Sequence, residues 1–379
     1  MTETDFLIIG AGIAGAGIAY RLAPHGRVLM MDMEEQAGYH TTGRSAAFYA
    51  ETYGGPKLQP LTTASKAFLR RPPEGFTDTP LINPMGAIHI FREDQRAAAE
   101  QTFKSLVAIE GVRLITRAEV LRRAPYLDGT AIAGGIWDPD CGNLDVAALH
   151  QGYLRAAKKA GADITLGGRL EAAAYDGQRW HVKTSTGQIK AKYLVNSAGA
   201  WADEVARRAG VHPLSLEPLR RTIITIPAPE GRPFDKHGPL IVDADEDFYF
   251  KPEGEGYLIS PADESLSVPC DAQPEMEDVA MAASYFEGAT ASTVSRIEAK
   301  WAGLRTFARD KAPVVGFAHD NPAFFWNAGQ GGYGIQTSPA WSDMAAHLLL
   351  GGALPAYLTR VGVQASVYTP ARFGKLAAE

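Results

Sequence analysis

Residues 5–32 read DFLIIGAGIAGAGIAYRLAPHGRVLMMD, and this stretch decides the fold. An apolar strand over residues 6–9 runs into Gly10, Gly12 and Gly15. A helix follows through Tyr20 and Leu22, then a second strand over residues 28–31 that ends at Asp32. Strand, glycine turn, helix, strand and acid come in the order of a β-α-β dinucleotide-binding unit. Gly10 permits the turn, Gly12 lets backbone approach a pyrophosphate at the helix N-terminus, and Gly15 allows helix and sheet to pack closely. Asp32 is placed to accept from ribose hydroxyls. Its charge disfavours the 2′-phosphate of NADP and leaves NAD and FAD both open.

Bulk composition narrows the setting. A chain of 379 residues with 46% hydrophobic and 21% charged side chains can bury a large core, and the length suggests about two domains. A formal net charge of -6 argues against a nucleic-acid surface. Cys141 and Cys270, the only cysteines, make neither a disulfide framework nor a metal cluster. The N-terminus lacks a secretory pattern and no apolar run is long enough to span a bilayer, so the expectation is a cytoplasmic protein, with loose membrane association left open.

Outward from the opening unit, apolar spacing predicts a helix over residues 56–71, a strand over 85–91 and a helix over 96–109. Asp145 is an N-cap candidate for a helix running through Ala157, and a strand over 163–166 follows. Residues 170–175 and 180–184 flank the turn-forming Asp176-Gly177, and 192–196 lead into SAGAWADEVARRAG, whose glycine brings backbone close to a bound cofactor. Residues 219–299 read as strand-rich, with a turn at Pro252 and Gly254, interrupted by a helix over 276–286. A strand over 323–328, a glycine loop over 328–338 and a helix over 340–350 complete the pattern.

Several residues carry possible chemistry. Gly329, Gly331, Gly332 and Gly334 present unpaired backbone N–H groups to a pyrophosphate, a flavin oxygen or a carboxylate, unless they make only a tight turn. In residues 43–47, small side chains would let a flavin ring lie against backbone. Arg44 reads as a counter-charge for the cofactor or as a salt-bridge partner, and Ser45 as a donor near the flavin or a helix cap. His40, in the same loop, is a candidate for orienting the cofactor. Arg221, opening an apolar strand, and Arg305, closing WAGLR, require anionic partners if they point inward: a bound carboxylate, or an internal acid. Tyr53 and Tyr249 read as pocket residues or ordinary packing. The nine histidines show no metal-ligand spacing and there is no serine elbow, so the chemistry falls to a cofactor.

The motifs IIGAGIAGA, GYHTTGRSAA, LDVAALHQGYLRAAKKAGA, NSAGAW, FYFKP, WAGLR and GQGGYGIQTSPA together resemble the D-amino-acid oxidase-like flavoprotein family, and more closely its bacterial D-arginine dehydrogenase branch. The resemblance covers nearly the whole chain. It implies an α/β fold in which an FAD-binding Rossmann-type domain (residues 1–80, 142–218 and 300–363) is interleaved with a substrate domain built on a mainly antiparallel β-sheet with flanking helices (81–141 and 219–299). Residues 364–379 are left as a peripheral tail. Noncovalent FAD is implied, with contacts from Gly10, Gly12, Ile13, Ala14 and Gly15, from Asp32 and Met33, and from His40, Thr41, Thr42, Gly43, Arg44 and Ser45. Ala46, Ala47 and Phe48 extend that set, and Gly331, Gly332, Tyr333, Gly334, Ile335 and Gln336 complete it.

The resemblance also puts Arg221 and Arg305 on a substrate carboxylate, makes Tyr53 and Tyr249 pocket residues, lets the Gly332 carbonyl accept from the substrate amine, and gives Gln336 a supporting role. Residues 50–54 would form a lid. Two departures matter: Ala87 and Phe48 stand where the branch has a glutamate and a histidine. Losing a buried acid that faced a guanidinium forfeits roughly 1.5–3 kcal/mol. The expected reaction is therefore oxidative deamination of neutral or apolar D-amino acids, by hydride transfer from the α-carbon to flavin N5, giving an imino acid that hydrolyses. Glu51 or Glu246 are the acids that would restore a cationic preference. Oxidation of secondary amino acids such as sarcosine and proline, oxidation of 2-hydroxy acids, and a non-catalytic flavin protein are the alternatives. The electron acceptor is oxygen or a quinone-like carrier.

Overall fold

A computed structural model describes residues 2–374. The opening strand, Thr2–Ile9, is central to an eight-stranded sheet. It pairs in parallel with Val28–Met31 on one side and Gly187–Asn196 on the other, with Asp163–Thr165 and Phe324–Ala328 as the next parallel neighbours. The hairpin Leu170–Tyr175 and Trp180–Thr184 extends this sheet in antiparallel fashion. Helix Ile13–Leu22 packs against helices Val146–Lys159 and Gly334–Leu349, with Ile18 and Leu22 fully buried. Burying each such side chain contributes about 1.5–3 kcal/mol. Asp145 caps its helix by accepting from Ala148 N–H at 2.8 Å.

A nine-stranded, mainly antiparallel sheet carries the second half. Its long strand, Glu217–Pro227, has Ala299–Phe307 along one edge and Gly256–Ser260 and Ser265–Leu266 along the other. Leu240–Asp243 beside Ala87–Phe91 is the parallel pair in this sheet. Residues 300–307, read from sequence as a return to the cofactor half, thus belong to the second sheet, because local periodicity does not specify a pairing partner. A three-stranded sheet of Phe48–Tyr49, Gly142–Leu144 and Ile82–Pro84 joins the halves. Its two- and three-residue strands leave no periodic trace in the sequence.

Two further expectations change. The glycine loop was expected to reach residue 338, yet helix Gly334–Leu349 begins earlier and accommodates Pro339 inside its second turn. Residues 364–374 are not peripheral: Tyr368 is buried, sits edge-on to Trp341 and donates to the Lys57 carbonyl at 2.6 Å, while Arg372 pairs with Asp310 at 3.0 Å. The remainder of that tail, 375–379, lies outside the described residues. Among the described residues no helix is long and apolar enough to cross a membrane.

The helix packing is tight enough to test. A Cβ on Gly17 would lie 2.0 Å from Ser342 Oγ on the neighbouring helix. Gly17→Ala should lower unfolding free energy by about 1–3 kcal/mol, the usual overpacking range, and Ser342→Gly in the same chain should recover much of the loss. Thermal unfolding of the two single variants and the double variant measures this coupling.

Candidate flavin and substrate site

The carboxyl ends of the parallel strands open onto a cavity of about 470 Å³ that runs from Asp32 to Arg305. This is within the range of about 300–1,000 Å³ common for ligand sites. Gly10 adopts φ +105°, and a Cβ there would lie 2.3 Å from the Ser197 carbonyl oxygen, so only glycine lets the two loops meet. A Cβ on Gly15 would lie 1.8 Å from the Gly10 carbonyl oxygen. Gly15 therefore serves helix packing and does not line the cavity. Thr42 crosses from the next loop to accept from Ile13 N–H at 3.0 Å, satisfying one of the helix's first donors. Asp32 accepts from Ala11 N–H at 2.6 Å and Glu34 N–H at 3.0 Å, fixing its carboxylate at the cavity wall. Beneath the turn, burial holds His150 below its usual pKa, and its Nε2 donates to the Ala11 carbonyl at 2.9 Å.

Of the remaining expected cofactor residues, Gly12, Ile13, Ala14 and Met33 line the cavity, as do His40, Thr41, Thr42, Arg44, Ser45 and Ala46. From the second glycine site Gly331, Gly332, Gly334 and Ile335 join them. Arg44 takes the salt-bridge reading: it pairs with Asp271 at 2.5 Å and donates to the Ala272 and Ala302 carbonyls. His40 is paired with Glu34 at 2.9 Å and packs on Trp201. Ser45 Oγ accepts from Ala47 N–H at 3.2 Å and caps no helix, since the next begins at Gly55.

Gly43, Ala47 and Gln336 stand behind the wall. Gly43 closes its loop onto the Gly38 carbonyl, and the Ala47 carbonyl accepts from Leu144 N–H. Gln336 spends both ends of its amide on structure, accepting from Ala50 N–H at 3.0 Å and donating to Thr62 Oγ1 at 3.2 Å. It therefore anchors the start of the 50–54 segment and does not face the cavity. Ser197–Trp201, in the NSAGAW turn whose glycine brings backbone close to a cofactor, all line the cavity, and the small side chains of Ser197–Ala200 give no chemical signal in the sequence. Thr306, Arg208 and Gly168 also line it, with no local motif to mark them.

At the far end, strands Glu217–Pro227 and Ala299–Phe307 pair in antiparallel register and carry Arg221 and Arg305 into the same cavity. Arg221 is buried; its Nε donates to the Asp263 carbonyl at 2.8 Å and its Nη2 lies 3.4 Å from Glu264. Burial, and then the like charge of Arg305, hold the Arg221 guanidinium below its usual pKa. Arg305 lies over Gly332 and donates to the Tyr53 hydroxyl at 3.0 Å; among the described residues no acid forms an ion pair with it. Tyr249 Oη and Thr306 Oγ1 are buried on the cavity with no hydrogen-bond partner among the described residues. Such groups are costly to leave unpaired and mark where a ligand's polar atoms are satisfied.

Phe48, Tyr53 and Tyr333 do not line the main cavity. Their rings pack in series beside Arg305: Phe48 with Tyr249 (5.9 Å) and Tyr53 (5.4 Å), and Tyr53 with Tyr333 (4.9 Å). Ala87 lies in the same apolar cluster with Ala46, Ile223 and Val242. Glu51 is paired with Lys66 at 2.8 Å and with Thr63, and Glu246 does not line the cavity, although burial raises its pKa against the pull of Arg221 and Arg305.

The profile of the family described as "DAO: FAD dependent oxidoreductase" matches residues 5–348. The chain belongs to this family of FAD-dependent oxidoreductases. The glycine cradle, the fixed Asp32 and the long cavity fit FAD, which Gly10, Gly12, Asp32 and the 38–46 and 329–335 loops would hold. The oxidoreductase is 25% identical to the dimethylglycine dehydrogenase of Mus musculus over 98% of this chain and 44% of the relative, and so spans less than half that relative's length. It is 25% identical to the glycine oxidase of Bacillus licheniformis over 92% of this chain and 93% of that one. In fold it is similar to a glycine oxidase from Geobacillus kaustophilus (TM-score 0.81, 21% identity, 93% and 96% coverage). It is similar in the same sense to an L-proline dehydrogenase from P. horikoshii (TM-score 0.82, 22% identity, 98% of each chain).

Placement of Arg305 depends on the absence of a side chain beneath it. A Cβ on Gly332 would lie 2.8 Å from Arg305 Cζ. Gly332→Ala should move the guanidinium and lower kcat/KM about a hundredfold, the order of loss that a misplacement of about 1 Å produces, with FAD retained. Flavin absorbance and steady-state kinetics on one preparation separate the two effects.

Proposed function

We propose that this oxidoreductase holds FAD noncovalently and oxidises the C–N bond of a small secondary amino acid, of the sarcosine or proline class, bound by its carboxylate between Arg221 and Arg305. The observation that carries this reading is a pair of guanidiniums facing one cavity, Arg305 with only a tyrosine hydroxyl as side-chain partner among the described residues, inside an aromatic and aliphatic wall. A substrate carboxylate supplies the missing charge, and bidentate geometry fixes its orientation. The apolar wall suits an N-alkyl group or a pyrrolidine ring better than a guanidinium tail, since Ala87 brings no charge, Glu51 is already paired and Glu246 does not line the cavity. Relatives and fold neighbours whose names carry dimethylglycine, glycine and L-proline support N-substituted and unbranched amino acids more than the D-arginine dehydrogenase branch that the sequence resembles. D-Amino acids with apolar side chains are the second reading, supported by the same wall.

When bound, FAD supplies the two-electron acceptor for the reaction. The protein's part is position and charge. Arg221 is fixed through Asp263 and Arg305 through Tyr53, so the clamp is preorganised before substrate arrives. Two fixed positive charges also disfavour an ammonium beside them, which lowers the substrate nitrogen's pKa and raises the fraction of neutral amine.

Anaerobic mixing with sarcosine, N,N-dimethylglycine, both enantiomers of proline, glycine, D-leucine, D-arginine and lactate tests the substrate class. Flavin bleaching should be fastest with a secondary amino acid. A faster reaction with D-arginine or lactate, or no bleaching at all, would refute the proposal, and subsequent admission of oxygen distinguishes oxygen from a quinone-like carrier as acceptor. In steady state, kcat, which reports ionisations of the bound complex, should rise with pH to a plateau, because deprotonation creates the reactive amine. The rising limb should lie below the pKa of the free amino group and move upward in Arg305→Ala. A limb at the free-amine value would remove the charge argument.

A further inference from the structure

Arg221 has an acidic neighbour that does not belong fully to it. Glu264 Oε1 is 3.4 Å from Arg221 Nη2, while its other oxygen accepts from Lys311 Nζ at 2.7 Å. The shorter contact is with the lysine, and the glutamate's charge is divided between an exposed cation and a buried one. The Arg221 side chain is 9% exposed, against 35% for Glu264 and 62% for Lys311, so the three run from the cavity wall to solvent. Lys311 follows the strand that carries Arg305, and Glu264 follows the turn whose Asp263 carbonyl holds Arg221 Nε. Glu264 therefore links both strands of the clamp.

The local backbone is held in an uncommon form on both sides of this link. Ala262 has φ +51° and Lys311 φ +58°, in the left-handed region that non-glycine residues seldom adopt. The turns are fastened by Ala262 N–H to Ser260 Oγ, by Thr222 N–H to the Asp263 carboxylate, and by Lys311 N–H to the Ala308 carbonyl. Lys311 also lies over the Phe307 ring at 5.4 Å. These contacts keep Glu264 beside Arg221 at a distance too long for a strong hydrogen bond and short enough for electrostatic attraction.

Building on the carboxylate-clamp reading, we propose that Glu264 is an internal competitor for Arg221 whose hold on that arginine is limited by Lys311, and that the Glu264–Lys311 pair sets the affinity of the clamp for a substrate carboxylate. An entering carboxylate meets Arg221 partly neutralised by Glu264. Lys311 draws Glu264 outward and leaves Arg221 available. Two substitutions then act in opposite directions, which general damage to the site does not produce.

The test uses the FAD-loaded enzyme and benzoate, a carboxylate with no oxidisable C–N bond, titrated by the perturbation of the flavin spectrum. Glu264→Gln should tighten benzoate binding and lower substrate KM, each by roughly two- to fivefold, the range of a partly exposed ion pair. Lys311→Met should weaken benzoate by a similar factor, and added salt should narrow the difference between the two variants. Unchanged or weaker binding in Glu264→Gln, or tighter binding in Lys311→Met, overturns the proposal. Arg305→Ala is the control for the clamp itself. If benzoate binds Arg305→Ala as it binds the parent enzyme, the carboxylate-clamp reading fails; if Arg305→Ala loses benzoate while Glu264→Gln gains nothing, only the role of Glu264 fails.

Discussion

The exposed edge of strand Ala299–Phe307 is the constraint on which the site depends. A sheet edge presents unpaired carbonyls and N–H groups that must find partners. Here the partners come from both cofactor loops. Arg44 donates to the Ala302 carbonyl, Thr41 to Leu304 at 2.7 Å, and Gly331 N–H to Thr306 at 2.9 Å, while Trp301 Nε1 returns a bond to the Arg44 carbonyl at 3.0 Å. The interval between these bonds is the interval between flavin loops and Arg305. Backbone pairing of one strand thus registers the substrate sheet against the dinucleotide sheet, and no flexible linker sets that distance.

Electrostatics work against the same arrangement. The two guanidiniums on neighbouring strands, Arg221 buried and Arg305 half-buried, repel each other, and burial first and then that repulsion hold Arg221 below its usual pKa. A clamp of this kind is a local cost to the folded chain, offset by packing elsewhere. Burial of Trp326, Trp341 and Tyr153 around the parallel sheet and its helices is of the kind that supplies such compensation. Any anion that enters the clamp should stabilise the whole fold by mass action, since the unfolded chain has no such site.

Legibility from sequence follows how local each signal is. The opening unit was readable because turn, helix and acid lie within twenty-eight residues, and Asp145 was readable because a cap bonds three residues ahead. Arg221 and Arg305 could be singled out as inward-pointing charges, but which anion each meets depends on a register set 84 residues apart, so Glu264 was missed. The strand Gly134–Asp138 hid behind two glycines; a Cβ on Gly135 would lie 2.7 Å from Ile88, so close packing there overrides low strand propensity. Helix Arg117–Arg123 did carry a local signal, the Thr116 and Glu119 capping box, which went unread between weak neighbours. Arg44 could not be resolved at all, because Asp271 lies 227 residues away.

The pairing order of the parallel sheet has a consequence for how the protein is made. The first strand takes one neighbour from residues 28–31 and the other from residues 187–196, and the loop at Thr41 and Arg44 meets its acceptors some 260 residues later. Contacts of such separation form slowly, because long loops close before any bond rewards them. During synthesis the glycine turn precedes by some three hundred residues the 329–335 loop that completes its cradle. The complete cradle therefore exists only after both ends of this span have been made and the long-range pairings between them have closed.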